Sequence, residues 1–207
     1  MSIVNSLMVE PIRGVLQDLH SEARSDRLRF ITLAPRILGG LARGRKLFDV
    51  MTPESMKECF IPVSPEQGEF LYLTARALGA RTIVHERAVV HLERAGVADV
   101  VDVRLGDALE TLREVSAPVD LVLLDGWKDL YLPVLDLLVP RLRAGSVVLA
   151  DNIFTFRKSL RPYVDYVQSG EHGFASTTLQ ISDGFEYSVY LELEPATAFQ
   201  PVGDHIV

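Results

Sequence analysis

Two apolar runs in this chain end in acids. Leu121-Val122-Leu123-Leu124 is followed by Asp125-Gly126-Trp127-Lys128, and Val147-Val148-Leu149-Ala150 by Asp151-Asn152. If the runs are neighbouring parallel strands, their C-terminal ends open on one sheet edge, where ligands bind in folds of this kind. Asp125, Asp151 and Asn152 together offer two carboxylates and an amide oxygen. That hard, all-oxygen set suits Mg²⁺, Mn²⁺ or Ca²⁺ and leaves positions open for water or substrate oxygens. Lys128, three residues beyond the first acid, brings a titratable amine to the same edge. Each residue also has a plainer reading. Asp125-Gly126 makes a turn, Asp151 or Asn152 caps a following helix, and a lone lysine is a surface charge. The combination is more specific than any of its parts.

A third strand end carries Gly106-Asp107-Ala108. Asp107 with Glu110 three residues later forms a helix-cap pattern. The functional alternative is contact with the adenine of a nucleoside cofactor lying along the sheet edge. His85 and His91 have no metal-ligand spacing.

The elements that must position these residues follow from periodicity. Ser64 as N-cap, Pro65 at the first helical position and Gln67 three residues after the cap make a capping box, and Gly79 ends the helix, which is predicted over 65–78. Short apolar runs at 82–84, 100–103, 119–124 and 146–150 alternate with helical patterns. These are a helix through Ala88, Val89 and Leu92 ending near Gly96, and one over 129–142 that Pro140 kinks. Strands alternating with helices predict an α/β fold, a doubly wound, Rossmann-like, mostly parallel sheet. The last third changes character. Runs at 176–181 and 186–193 flank Ser182-Asp183-Gly184, which predicts a C-terminal antiparallel hairpin followed by a loose tail from Pro195. Ahead of the sheet, Ile12, Val15, Leu16 and Leu19 lie on one helical face after Pro11, and a second apolar stretch at 28–41 is broken by Pro35 and Gly39-Gly40. Residues 1–60 thus read as a helical cap or arm on a core at 61–195, all within one domain.

The 207 residues, 48% of them hydrophobic, suffice for one sizeable core. A net charge of -7 with scattered basic residues excludes a nucleic-acid partner, and the Arg43 to Lys46 stretch reads as a solvated loop. Cys59 is the only cysteine, so neither an intrachain disulfide nor a cysteine metal site is expected. No run approaches the roughly 20 apolar residues of a membrane helix, and a signal-peptide pattern is lacking at the N-terminus. The expected setting is cytoplasmic, with no membrane partner.

Read in order, Val63-Ser64-Pro65-Glu66-Gln67-Gly68-Glu69-Phe70-Leu71, Gly106-Asp107-Ala108, Asp125-Gly126-Trp127-Lys128-Asp129-Leu130-Tyr131, Arg143-Ala144-Gly145 and Ala150-Asp151-Asn152 resemble the catechol and caffeoyl-CoA O-methyltransferases. These are metal-dependent enzymes of the class I methyltransferase type that use S-adenosylmethionine. The resemblance runs from about Ser64 to the terminal hairpin. It implies Asp125, Asp151 and Asn152 as ligands of a divalent cation, most simply Mg²⁺, and Lys128 beside the hydroxyl that receives the methyl group. It also implies Asp107, Ala108, Asp125 and Trp127 around S-adenosylmethionine, a small aromatic acceptor as substrate, and a homodimer. The alternative class is a non-catalytic, methyltransferase-like binding or dimerisation module.

One segment departs from the family's pattern. That pattern has a strand, an acid, a glycine-rich turn, a helix and a second strand ending in a ribose-binding acid. Here Arg81-Thr82-Ile83-Val84 passes straight to His85-Glu86-Arg87 and a helix. About 30 residues, one strand-helix-strand step, are reduced to a single strand. The glycines let the backbone approach the cofactor and the acid holds the ribose. Glu86 is a substitute ribose ligand or, more simply, a first-turn acid on its helix. Three accounts fit: a segment absent from the sequence, a natural deletion, or a site completed by a partner chain. The intact metal and lysine positions favour the first.

Overall fold

Strands and helices alternate along the chain as the periodicity predicts. The computed structural model describes residues 7, 9–21, 35, 38–40, 42–44, 63–80, 83–85, 93–96, 99 and 101–192. The chain divides into two compact units, Met1–Pro65 with Thr82–Arg104, and Glu66–Arg81 with Leu105–Val207.

In the first unit, helix α1 covers residues 12–21, and Val15 on its apolar face is buried. Asp18 on the same helix pairs with Arg94. Strand β1 (Ile83–His85) pairs in parallel with β2 (Val101–Val103), Ile83 opposite Val101 and His85 opposite Val103. Both strands lie where the apolar runs predict them. Most of the 28–41 stretch, Cys59, Glu86, His91, most of the helix through Ala88, Val89 and Leu92, and the tail from Pro195 lie outside the described residues.

Helix α2 (Pro65–Leu78), of which all but Pro65 belongs to the second unit, has the predicted bounds, and Gly79 closes it in the left-handed conformation that glycine alone adopts without strain. A short helix, α3 (Ala108–Thr111), leads to β3 (Val119–Leu124), α4 (Tyr131–Leu138) and β4 (Leu142–Ala150). Then come α5 (Arg161–Gln168) and the hairpin β5 (Phe174–Leu179) and β6 (Phe185–Tyr190). The four strands form one sheet in the order β3-β4-β6-β5. β3 is parallel to β4, and the remaining pairs are antiparallel. This is the α/β architecture expected, ending in the expected hairpin, with its strands divided between a two-stranded and a four-stranded sheet.

Alternation along the strands explains why helices cover both faces of the larger sheet. Val122 and Leu124 of β3, and Val148 and Ala150 of β4, join Tyr131, Val134, Leu135 and Leu138 of α4 and Tyr163 and Val167 of α5 in the core. Residues of the opposite parity on β6, Phe185 and Tyr187, meet Phe70 of α2 at ring-centroid distances of 6.2 and 6.0 Å.

Several boundaries differ from the prediction, and the hairpin strands are Phe174–Leu179 and Phe185–Tyr190 where 176–181 and 186–193 are expected. The helix expected over 129–142 is α-helical only at Tyr131–Leu138, between 3-10 turns at Lys128–Leu130 and Val139–Arg141. Pro140 lacks the N–H that would extend the α-helical ladder, and the chain turns there. β4 then starts at Leu142, earlier than the expected 146, because Leu142 pairs with Val119 before a shift in register. Helix α5 has no counterpart in the sequence reading.

Candidate active site

The parallel register of β3 and β4 sets Leu124 beside Ala150, and the Asp151 N–H continues the ladder to the Leu124 carbonyl at 3.0 Å. The residues that follow, Asp125 and Asp151-Asn152, therefore leave the sheet side by side. Asn152 has a φ of 65°, a left-handed backbone that asparagine tolerates better than other side-chain-bearing residues. Its amide accepts from Lys128, Nζ to Oδ1 at 2.6 Å, and Lys128 Nζ stands 3.9 Å from Asp125 Oδ1. Asp125, Lys128, Asp151 and Asn152, four residues singled out in the sequence, thus share one strand-end edge.

Residues that the sequence does not assign to this site hold the cluster in place. Tyr131 is buried in the first turn of α4, and its hydroxyl accepts from Lys128 Nζ at 2.7 Å while donating to the Asp151 carbonyl at 3.3 Å. The ammonium also lies 4.8 Å from the Tyr131 ring centroid and 5.2 Å from that of Phe156. Gln67 of α2 donates from Nε2 to Asp151 Oδ1 at 2.8 Å. Asp183, in the hairpin turn, acts electrostatically on both Lys128 and Asp151, and its own Oδ1 accepts from Thr155 Oγ1 at 2.9 Å. The turn is tied to the segment after β4, since Ile153 N–H donates to the Gly184 carbonyl and Phe154 N–H to that of Asp183. Tyr131 stood inside a quoted motif and Asp183 inside a turn signal, but neither carried any sign of what it would face.

The electrostatics follow from like charges drawn out of water. Burial, then the Asp151 carboxylate, push the Asp125 carboxyl up to about 6 against the opposing pull of Lys128. Asp151 is raised too, by burial first, although the Asn152 N–H, Gln67 and Lys128 all favour its charged form. Burial lowers the Lys128 ammonium, and the three acids oppose that shift. Two carboxylates that repel each other, with an amide oxygen already held by a cationic group, form an environment that favours a cation. The residues therefore fit a divalent ion in charge and donor type. Among the described residues no three His, Cys, Asp or Glu side chains gather as a metal set, so any ion here would depend on the Asn152 amide as third protein ligand.

Asp107 is the N-cap of α3, accepting from the Leu109 N–H at 2.9 Å, while Glu110 pairs with Arg113. Among the described residues no hydrogen bond or ion pair joins Asp107 to the Asp125–Asp151 cluster. Trp127 is partly buried and leads directly into the turn that carries Lys128.

Comparison with known proteins gives this edge a context. Residues 40–153 match the family described as a methyltransferase domain. A catechol O-methyltransferase of Mycobacterium tuberculosis (strain ATCC 25618 / H37Rv) is 32% identical over 126 positions, which cover 45% of this chain and 57% of that one. Because 45% of 207 residues is about 93, roughly 33 of those positions have no counterpart here. The chain spans about half the length of the curated relatives it matches. Among solved structures, a cofactor-bound protein from MTB has a TM-score of 0.58 at 25% identity, over 75% of this chain and 89% of that one. An O-methyltransferase of Streptomyces achromogenes, solved in complex with SAM, has a TM-score of 0.58 at 22% identity, over 67% and 86%. That second likeness is one of fold. With more than half its length matched, the chain belongs to the methyltransferase-domain family and is similar within it to O-methyltransferases of the catechol type.

Proposed function

We propose that this chain transfers a methyl group from S-adenosylmethionine to a hydroxyl of a small aromatic acceptor, with a divalent cation held by Asp125, Asp151 and Asn152. The supporting observation is the convergence of two raised carboxylates and one amide oxygen on the Lys128 ammonium at the ends of two parallel strands. When bound, the cation supplies Lewis-acid polarisation and a template for acceptor oxygens. Asp107, Ala108, Asp125 and Trp127 are the residues assigned to the methyl donor.

Lys128 is the proton acceptor in this reading. Burial favours its neutral form, and Tyr131 and Asn152 fix its Nζ on either side, so the amine is oriented before the acceptor arrives. The acceptor hydroxyl gives its proton to Nζ as its oxygen attacks the sulfonium methyl carbon. The carbon–oxygen bond forms while the carbon–sulfur bond breaks, giving a methyl ether and a thioether, and the proton left on Lys128 returns to solvent. Much of the acceleration comes from holding oxygen and methyl in line. Phe156, against the ammonium, and half-exposed Phe154 give the edge aromatic walls suited to a planar acceptor.

The test is calorimetric titration with S-adenosylmethionine, with and without Mg²⁺, followed by mass detection of methyl transfer to a catechol. Heat of binding and a metal-dependent methyl product are the expected results. No binding at millimolar cofactor by protein of confirmed mass would overturn the proposal.

A further inference from the structure

Gln67, read in the sequence as a capping residue, is buried. It lies in the first turn of α2, it is 3% exposed, and it is the buried residue of a helix otherwise in partial contact with water. Its Nε2 reaches across 84 residues of sequence to Asp151 Oδ1 at 2.8 Å. The same oxygen accepts from the Asn152 N–H at 2.6 Å. Among the described residues no hydrogen bond goes to Asp151 Oδ2. Two donors on one oxygen set the rotation of the carboxylate and leave the other oxygen for a ligand.

The helix behind Gln67 is firmly seated. One turn further on, on the same face, Phe70 packs on Phe185 and Tyr187 of β6, the strand paired with β4. The position of the Gln67 amide is therefore set by the sheet that also delivers Asp151. An amide suits this place because it donates without adding charge, whereas a third acid beside Asp125 and Asp151 would deepen their repulsion.

We infer that Gln67 is a positioning residue for Asp151, holding Oδ1 so that Oδ2 is presented to a divalent cation. The inference rests on the cation site proposed above and adds to it a residue from a separate helix. Partners that orient ligating carboxylates typically contribute about 10–100-fold in metal affinity.

The experiment measures Mn²⁺ affinity by calorimetry and electron paramagnetic resonance, in the absence of S-adenosylmethionine, for the full-length wild type and Gln67→Met. Methionine keeps the length and most of the volume while removing the donor. The expected result is Mn²⁺ affinity about 10–100-fold weaker in the variant, with S-adenosylmethionine affinity unchanged. Equal Mn²⁺ affinity overturns the role of Gln67 alone, as does a matching loss of both ligands. No Mn²⁺ binding by the wild type overturns the cation site itself, and this inference with it. Should Gln67→Met fail to fold, the wild type suffices. The side-chain amide resonances of Gln67 should then shift on Mg²⁺ addition with the midpoint of metal binding, and unmoved resonances would refute the inference.

Discussion

The conflict at this site is one of charge, and it can be measured on single residues. Asp125 has its carboxyl raised from 3.8 to about 6 by burial and by Asp151. An acid held above its ordinary value favours the folded state while protonated. Its ionisation therefore works against folding as pH rises from about 4 through about 6, and the penalty is full above that window. In metal-free buffer at pH 8, Asp125→Asn should melt higher than the wild type. The difference should shrink as pH falls through 6 and vanish near 4, as followed by circular dichroism. With a side chain 33% exposed, solvent screening holds the gain to no more than ~1 kcal/mol, or about 2–4 °C for a chain of this size. A lower melting point at pH 8 would mean that the attraction of Lys128 outweighs burial. Lys128→Met should reduce kcat by about 10²–10⁴-fold, the usual contribution of a general base, while S-adenosylmethionine affinity holds. A loss of affinity with kcat intact would make Lys128 a binding residue. The four polar residues of the edge were legible in the sequence because Asp125 and Asp151-Asn152 each follow a short apolar run that alternates with helical patterns, and Lys128 lies three residues beyond the first acid. Gln67, Tyr131 and Asp183 were not, since a capping pattern, an aromatic and a turn are complete local explanations, and only the fold shows what they face. Asp151 also proved to be 4% exposed and held by Gln67, where a strand-end acid would be expected to face solvent. Replacing it with alanine therefore removes an internal contact along with any ligand.

Among the elements, the terminal hairpin shows how alternation reveals strands yet misplaces their faces. Glu186 and Ser188 alternate with Phe185, Tyr187 and Val189 and so look like a solvent-facing row. Glu186 and Ser188 are instead fully buried, because α5 packs on β5 and covers that side. The sequence marks α5 weakly, since its N-cap position is Leu160, without a capping side chain. The Glu186 carboxylate accepts from Gln168 Nε2 at 2.7 Å and from the Ser176 and Thr178 hydroxyls at 2.5 Å each. One acid thus joins α5 to both strands of the hairpin whose turn carries Asp183. Glu186→Ala would remove the acceptor shared by the partly buried Ser176 and Thr178 hydroxyls, at a cost of about 1–3 kcal/mol, or ~2–12 °C in melting temperature. Thermal denaturation is the check. A loss under about 1 kcal/mol would show that water reaches the network and that the helix, not the acid, holds the hairpin.

Across the whole molecule, the α/β order and the hairpin were readable from the sequence, which also predicts an abbreviated step between Val84 and the next helix. What that abbreviation does to cofactor binding follows from the parts it removes. A glycine turn lets backbone N–H groups approach the cofactor, and an acid at the next strand end holds the ribose hydroxyls. Each hydrogen bond to a charged group contributes about 1.5–3 kcal/mol, roughly 10–100-fold in affinity. In the proposed reading, binding without these contacts leans on Asp107, Ala108, Asp125 and Trp127. Inserting the strand-helix-strand step of the mycobacterial relative after His85 should therefore tighten S-adenosylmethionine binding at least about 10-fold in calorimetry, while Mn²⁺ affinity stays that of the unmodified chain. The two ligands separate because the cation residues all lie beyond the graft, at the ends of β3 and β4. A folded graft with no gain in cofactor affinity would mean that the unmodified chain already makes those contacts by another route. Glu86, the first acid after β1, is the residue to replace next in that case, because it alone follows the strand at the place where the family's ribose ligand would fall.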